Sequence, residues 1–485
     1  VVTCAVGHLY TVAEKEKSGF KYPKFDVERK SSADVNKASN YTKKYLNVIK
    51  KLAKDADEFT VATDYDVEGE VIGLNVLKYA CKQKDANRMK FSTLTKEDLV
   101  EAYNKKSKNI DWGQANAGLT RHELDWYYGI NLSRALTSSV KTAGSFKILS
   151  AGRVQGPALK IIVGREKEIK AFKPEPFWQI ELTGNVRKKD ITAWHKEDKF
   201  WDKKKAEEVI EKTKGRKAKV DDISKKKFNQ QAPYPFDLTT LQTEAYRCFG
   251  ISPKDTLQVA QELYTASLIS YPRTSSQKLS EKLGFKKILK DLSKNGNYRN
   301  LADSLLSKEK LKPNNGKKDD PAHPAIYPTG AMAELDGRDK KIFDLIVKRF
   351  LATFGDPAVR ETINIDINCN EEHFIAKGTR TIEKGWHTFY EPYVKLEEEE
   401  MPPCEKEDNV DVKDIKMYDK ETQPPKRYTQ ASIIKELEKR NLGTKATRAT
   451  VIDTLYQRNY ITGKAIEATD LGIKTIDVLD KYSPS

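Results

Sequence analysis

Hydrophobic residues return along this chain in two periods, and the changes of period divide it. Val1-Val-Thr-Cys-Ala-Val opens the chain as an apparent strand, so the natural N-terminus is expected further upstream. Tyr45, Val48, Ile49 and Leu52 recur at helical spacing and predict an amphipathic helix over 41–54. Phe59-Thr-Val-Ala-Thr63 reads as a strand. An acidic turn follows, and 71–80 reads as a helix, giving a strand–turn–helix unit with its loop at the strand's carboxyl end. Helical patterns dominate from Asp98 to Tyr128 and again up to Lys170. The alternation then becomes strand-like from Phe177 to Gln231, apart from a Lys/Glu-rich helix over 203–214. It is strand-like again at Glu361-Thr-Ile-Asn-Ile-Asp-Ile and Trp386-His-Thr-Phe-Tyr. Two β-rich stretches around a helical block predict one β domain that the chain leaves and re-enters. Residues 308–318, 397–400 and Pro402-Pro403 read as loop.

A repeat runs through the helical parts. Leu241 to Leu263 and Ile433 to Leu455 both span 22 residues, each with an intervening glycine (Gly250, Gly443) and a following apolar pair. This predicts a winged-helix-like arrangement twice over, with Thr429 and Gly443 at the ends of the first helix of the second copy. Two unrelated helical hairpins are the plainer alternative.

Composition narrows the field. The chain has 485 residues, 87 Lys+Arg against 71 Asp+Glu, and a formal net charge of +16. That size calls for several domains, and that surplus suits a polyanionic partner, although a lysine-rich surface would produce it too. The five scattered cysteines include no C-x-x-C pair, which argues against a disulfide framework or zinc ribbon and suits a reducing cytosol. No apolar run is long enough to span a bilayer, and no signal peptide is recognisable.

Against this basic background three constellations stand out. Asp64-Tyr-Asp66-Val-Glu68-Gly-Glu70 concentrates hard oxygen ligands that suit Mg²⁺. An EF-hand is excluded because its twelfth loop position is Asn75 and a strand precedes it; a solvated acidic turn capping the helix remains the alternative. Leu268-Ile-Ser-Tyr271-Pro-Arg273-Thr predicts a short buried strand held extended by Pro272, with Tyr271 and Arg273 on one face. An arginine beside a phenol can stabilise phenolate or hold a phosphate against it. Thr274 and Gln277 have the spacing of a capping box opening a helix. Ser150-Ala-Gly152-Arg153-Val-Gln155-Gly156-Pro157 predicts a helix start with exposed amides and a nearby arginine, which is a phosphate site or an ordinary capped turn. Arg121 and Asp125, four apart, read as a surface ion pair.

Together these motifs resemble the type IA DNA topoisomerases in their archaeal form. Asp64-Tyr-Asp-Val-Glu68-Gly-Glu is similar to the family's Toprim acidic motif, and Gly152-Arg153-Val-Gln155 to its Gly-Arg-Val-Gln signature. Ile269-Ser-Tyr271-Pro-Arg273-Thr resembles the nucleophile motif, and Ala322-His323-Pro-Ala-Ile-Tyr-Pro-Thr329 the histidine motif. Pro425-Lys-Arg427-Tyr428-Thr429 and Gly443-Thr-Lys-Ala-Thr447 resemble the last helical block.

The resemblance implies a multidomain α/β plus α+β chain. A Toprim (Rossmann-like) domain lies over 1–98, short of the family's first segment with its glutamate and lysine. Helical, winged-helix-like parts lie over 99–172 and 422–485, a β-rich hinge over 173–234 and 358–421, and a nucleophile-bearing helical domain over 235–357, together forming a toroidal core. It implies Tyr271 as nucleophile, with Arg273 and His323 as further catalytic residues. Asp64, Asp66 and Glu68 would be Mg²⁺ ligands, and Arg121, His122, Asp125, Ser150, Arg153, Gln155 and Thr447 DNA contacts. Val67 and His122 stand where many relatives carry arginine. The implied partner is single-stranded or underwound DNA, with a helicase or single-strand-binding protein as an additional one. A cytoplasmic, nucleoid-associated monomer without a membrane is expected. Two rival readings remain at this stage: a Toprim nuclease or primase, for which Tyr271 is dispensable, and a non-cleaving DNA-binding fragment.

Overall fold

The structure is a computed structural model describing residues 1–142 and 150–482; Leu149, before the glycine-flanked turn, lies outside them. No strand forms at Val1–Val6. The first strand, β1 (Tyr10–Glu14), begins where β2 (Val27–Ser31) supplies an antiparallel partner. After a short α1 (Ser32–Val35) comes α2 (Thr42–Leu52), which buries Thr42, Leu46 and Ile49. Its buried stripe is shifted from the expected one, and Val48 is exposed. Next, β3 (Thr60–Val61), shorter than expected, leads into the acidic loop and α3 (Val67–Asn75). Helix α3 starts four residues earlier than the apolar pattern predicts, because Asp66 Oδ1 accepts the Gly69 N–H at 2.8 Å and caps it. It continues through a wider π-helical turn over Val76–Cys81. β4 (Asn87–Arg88) pairs parallel to β3, and α4 (Lys96–Asn104) follows.

The 31-residue α5 (Trp112–Thr142) packs on α3, and α6 (Gln155–Ala171) leads to the β-rich part. β5 (Pro176–Val186), β6 (Lys189–His195), α7 (Lys203–Thr213) and β7 (Ala218–Gln230) come before the helical insert. The insert holds α8 (Leu238–Phe249), α9 (Pro253–Thr265), α10 (Phe285–Leu292), α11 (Arg299–Leu306) and α12 (Gly337–Ala352). The chain then returns through β8 (Ala358–Cys369), β9 (Glu372–Glu383), α13 (His387–Tyr390) and β10 (Asn409–Glu421). These strands close a six-stranded barrel in the order β10-β5-β6-β9-β8-β7, every pair antiparallel. Inward residues such as Leu182, Val220, Ile365, Ile367 and Phe374 fill it. The departure and return of the β domain is thus present.

Two expectations fail here. Trp386–Tyr390 is helical because Trp386 and Tyr390 pack into the insert's core, with Trp386 Nε1 donating to the Gln230 carbonyl at 3.1 Å. No helix opens at Gln277 either; only a 3-10 turn forms, at Glu281–Leu283. Thr274 Oγ1 donates to the His323 carbonyl, Gln277 Nε2 reaches Asp237 Oδ2 at 3.0 Å, and the Gln277 N–H pairs with the Lys318 carbonyl. Tertiary partners therefore use the groups that a capping box needs.

The chain ends with α14 (Gln430–Lys439), α15 (Arg448–Gln457), a hairpin of β11 (Ile461–Thr462) and β12 (Glu467–Ala468), and α16 (Asp470–Tyr482). The repeat is real in its helices. Asp237 caps α8 and Thr429 caps α14, each in a reciprocal capping box, and α8 packs on α14 as α9 packs on α15. Its wing exists only in the second copy; after α9 a single bridge joins Ile269 to Pro328. Helix α14 ends at Lys439, before the expected Gly443, and Asn441 takes a left-handed turn with φ +55°.

Candidate active site

The acidic loop is built from below by an arginine that sequence reading missed. Arg88 on β4 is fully buried and donates from Nε to Glu70 Oε2 at 2.8 Å. Its Nη1 donates to the Thr63 carbonyl at 2.7 Å and its Nη2 to the Asp64 carbonyl at 2.8 Å, so one guanidinium fixes the backbone that carries the carboxylates. The other Glu70 oxygen takes the Asp111 N–H at 2.6 Å. Gly69 completes the turn: a Cβ there would lie 2.0 Å from the Asp64 carbonyl oxygen.

Tyr271 stands over this loop from the insert. Leu268–Tyr271 is buried, with Ile269 bridged to Pro328 as a one-residue strand after a bend at Leu268. The Tyr271 N–H donates to the Ser92 carbonyl at 2.8 Å, and its hydroxyl to Asp66 Oδ2 at 2.6 Å. Beside it, Tyr264 on α9 donates to Asp64 Oδ1 at 3.0 Å. Burial, then the charges of Asp66 and Asp64, push the Tyr271 hydroxyl far above the usual phenol range, while the Arg273 charge opposes them. Burial also raises the Asp64 carboxyl, with the Tyr264 hydrogen bond and the Arg273 and Arg88 charges opposing. Arg273 has a buried Nε without a hydrogen-bond partner among the described residues, and it lines a groove along α9.

His323 is wedged between the two halves of the cleft. Its Nε2 lies 2.9 Å from the Tyr65 carbonyl and its Nδ1 3.0 Å from Ser92 Oγ, so Nε2 carries the proton and Nδ1 accepts from the serine. Its ring is 4.5 Å from that of Tyr271. Burial pushes its pKa down to about 4, so the imidazole is neutral.

The expected acidic trio is not gathered as a trio. Asp64 and Asp66 face the tyrosines, but Glu68 turns to the other side. There His8 Nε2 at 2.9 Å, His122 Nε2 at 3.0 Å and Arg121 Nη2 at 2.8 Å surround it. Burial would raise that carboxyl; hydrogen bonds from His122 and His8 and the Arg121 charge outweigh it and hold it far below the usual range. Arg121 lies 3.7 Å from Asp125, as the i,i+4 spacing predicts, and Asp125 also takes Arg153 Nε at 2.8 Å. Gln155 Nε2 reaches the Ser150 carbonyl at 3.4 Å. Thr447 Oγ1 accepts the Thr444 N–H at 3.0 Å in a loop whose Gly443 lies against Val154. Arg121, His122, Asp125 and Arg153 therefore form a strip leading from Glu68, with Ser150, Gln155 and Thr447 beyond it. His8 was missed; its signal in the sequence was only a histidine after glycine. No helix among the described residues is long and apolar enough to cross a membrane.

The chain is similar to known proteins. Residues 109–485 match a family model described as DNA topoisomerase, and residues 1–94 one described as Toprim domain. DNA topoisomerase 1 of Pyrococcus horikoshii is 46% identical over 491 residues, covering 100% of this chain and 71% of that protein. Its counterpart in Methanocaldococcus jannaschii is 49% identical over 489 residues, covering 100% and 63%; that of Methanothermobacter thermautotrophicus is 45% identical, covering 99% and 66%. The chain thus spans about two thirds of the length of these curated relatives. The structure of full-length topoisomerase I from Thermotoga maritima superposes with a TM-score of 0.76 at 27% identity, over 98% of this chain and 78% of that one. An acidic loop facing a buried tyrosine, a barrel entered twice and two helical repeats now have a common explanation, and the chain belongs to the type IA DNA topoisomerase family.

Proposed function

We propose that this chain is the strand-cutting core of a topoisomerase and acts on single-stranded DNA through Tyr271. The observation that carries this reading is the 2.6 Å hydrogen bond from the Tyr271 hydroxyl to Asp66, which joins the nucleophile motif to the acidic motif in one buried cleft. In the reaction Tyr271 Oη forms a bond to the scissile phosphorus, and the bond from phosphorus to the 3′ oxygen breaks. The phenol proton leaves along the hydrogen bond to Asp66, and the 3′ oxygen takes one up from solvent. One phosphodiester replaces another, so religation needs no ATP and the DNA is held meanwhile as a 5′-phosphotyrosine. A strand passed through the gap gives relaxation of negative supercoils or decatenation.

Arg273, whose Nε has no partner among the described residues, is the cation placed to hold the scissile phosphate and its developing charge. The burial that raises the Tyr271 pKa keeps the phenol unreactive until a strand displaces the closed contacts. His323 keeps the tyrosine ring and the Toprim edge in register, and reaches the strand once the cleft opens. Arg121, His122, Asp125, Ser150, Arg153, Gln155 and Thr447 line the approach.

Mg²⁺ fits the acidic loop. Two carboxylates crowd one half-buried turn, burial raises one of them, and the Arg88 guanidinium beneath them is spent on Glu70 and backbone carbonyls. A hard dication would offset that charge, with Asp64 and Asp66 as ligands and Glu68 joining after leaving its histidines. When bound, it supplies charge stabilisation at the phosphate and alignment for religation. The division into domains given from the sequence, a nucleoid location and a monomeric state belong to the same proposal.

The test is to incubate the protein with labelled single-stranded DNA and Mg²⁺, denature, and look for label bound to protein. An adduct in the wild type that is lost in Tyr271→Phe supports the reading. One that survives the substitution refutes the assignment.

A further inference from the structure

The ribbon formed by β1 and β2 ends in a tip, residues 15–26, that the reaction above does not use. Its sequence, Lys15-Glu-Lys17-Ser-Gly-Phe20-Lys21-Tyr22-Pro-Lys24-Phe25-Asp26, interleaves lysines with aromatic residues. The rings are exposed: Phe20 by 53%, Tyr22 by 45% and Phe25 by 64%. Three exposed aromatic rings on one short tip are unusual on a soluble surface and mark a binding function more often than chance.

The tip is also a built structure. Arg134 of α5 pairs with Glu14 and donates to the Lys21 carbonyl at 3.0 Å. Asn131 donates to the Lys24 carbonyl at 2.9 Å and accepts the Lys24 N–H at 2.7 Å. Ser18 donates to Glu14 from both its N–H and its hydroxyl, and Phe25 packs edge-on against Tyr127 at 5.6 Å. Helix α5 therefore holds the backbone of the tip and seats Phe25, while Phe20, Tyr22, Lys17 and Lys21 stay in solvent, so little order need be gained on binding.

The placement of the tip points to its ligand. Arg121, Leu124, Asp125 and Tyr128 are spaced i, i+3, i+4 and i+7 and share one face of α5. Leu124, Asp125 and Tyr128 are exposed, and Arg121 partly so. That face starts at Glu68 and Arg153 and runs toward the tip, which is held by the neighbouring face through Tyr127, Asn131 and Arg134. From Arg121 to Asn131 is ten residues, about 15 Å of helix. Aromatic rings that accept any base, set among cations that follow a phosphate backbone, are the recurring means of holding single strands without sequence preference.

We propose that the tip over residues 15–26, with Tyr128, is a stacking platform for single-stranded DNA that extends the strand path along α5 beyond the cleavage cleft. This rests on the reading of single-stranded DNA as the substrate. Bases stack on Phe20, Tyr22 and Phe25, and Lys17, Lys21 and Lys24 neutralise the phosphates between them.

The experiment measures binding of fluorescent single strands to the protein carrying Tyr271→Phe, so that no cutting intervenes. A series of increasing length is used, with and without Phe20→Ala/Tyr22→Ala/Phe25→Ala. The triple substitution is expected to weaken long strands by tenfold or more and to leave short ones little changed. Because these side chains are exposed, its melting temperature checks that it folds. Independently, Lys17→Ala/Lys21→Ala should lower the slope of log K against log salt by about 1.4, since each phosphate contact to a single strand contributes about 0.7. Equal loss on short and long strands, or no loss and an unchanged salt slope, overturns the inference; the rings would then cover another protein surface. If the wild type forms no covalent adduct at all, the cleavage reading has failed. If it forms one while both variants bind like the parent, only the platform has.

Discussion

Tyr271 and Asp66 are 205 residues apart in sequence, yet the tyrosine hydroxyl donates to the Asp66 carboxylate at 2.6 Å. The two side chains are thereby held together in one cleft, the tyrosine fully buried and the aspartate half-buried. A half-buried carboxylate deprived of its donor bears a desolvation cost, so Tyr271→Phe is expected to destabilise the protein by roughly 1–3 kcal/mol. Asp66→Asn should cost a similar amount. In the double variant the two losses should not add, because each single change already breaks the same bond. Denaturant titrations of the four proteins without Mg²⁺ measure this, and simple additivity would mean that the bond is not formed in solution.

Much of this arrangement could be read in advance, and the reason differs from element to element. The acidic turn, the extended tyrosine segment and the interrupted β domain depend on local chemistry: proline restricting its neighbour, carboxylates crowded on one turn, alternation along a strand. What stayed hidden depends on partners distant in sequence. Arg88 lies in Asn87-Arg-Met-Lys, which looks like any basic surface stretch, and only its position under Thr63 and Asp64 reveals its use. Glu68 belongs to the motif by spacing, but its direction is decided by His8 and His122, 60 and 54 residues away. The missing helix after Thr274 is the same lesson, since the Gln277 N–H that its hydroxyl would cap is taken by the distant Lys318 carbonyl.

Arg88 offers the sharpest check on how the loop is held. Its ion pair with Glu70 is wholly buried, and removal of one partner leaves the other charge uncompensated. Arg88→Met is expected to cost roughly 3–5 kcal/mol and to loosen residues 63–66. Arg88→Lys should rescue little, because an ammonium cannot replace a fork that serves a carboxylate and the Thr63, Asp64 and Met89 carbonyls together. Denaturation gives the first quantity and hydrogen exchange in the loop the second.

Gly69 tests geometry rather than charge. An added methyl would meet a backbone oxygen at 2.0 Å, which no side-chain rearrangement can relieve. Gly69→Ala must therefore shift the Asp64 carbonyl or the start of α3, and with it Asp66. Adduct yield with single-stranded DNA should fall by at least tenfold, whereas the melting transition of the rest of the chain should move little. A variant with wild-type yield would show that the loop tolerates the shift.

His323 should make closure of the cleft depend on pH, and the sign follows from its burial. Its pKa in the closed protein is about 4, below the ordinary 6.5, because a buried imidazolium is costly. Asp320 and Asp66 favour its charged form, Lys445 opposes it, and the Tyr65 carbonyl accepts its Nε2 proton. Between pH 6.5 and 4 an opened or unfolded chain binds a proton that the closed one refuses. Stability is thus constant in this respect above pH 6.5 and falls as pH drops toward 4, by about 3 kcal/mol over the full window. Asp320 answers to a different range. Burial would raise it, but its hydrogen bond and charge interaction with Lys445 bring it to about 2, so its contribution is lost only as pH falls from about 4 toward 2. Melting temperatures taken from pH 7 to 4.5 should decline for the wild type and decline markedly less for His323→Gln, which keeps the shape but cannot charge. Equal slopes for the two proteins would remove His323 as the cause.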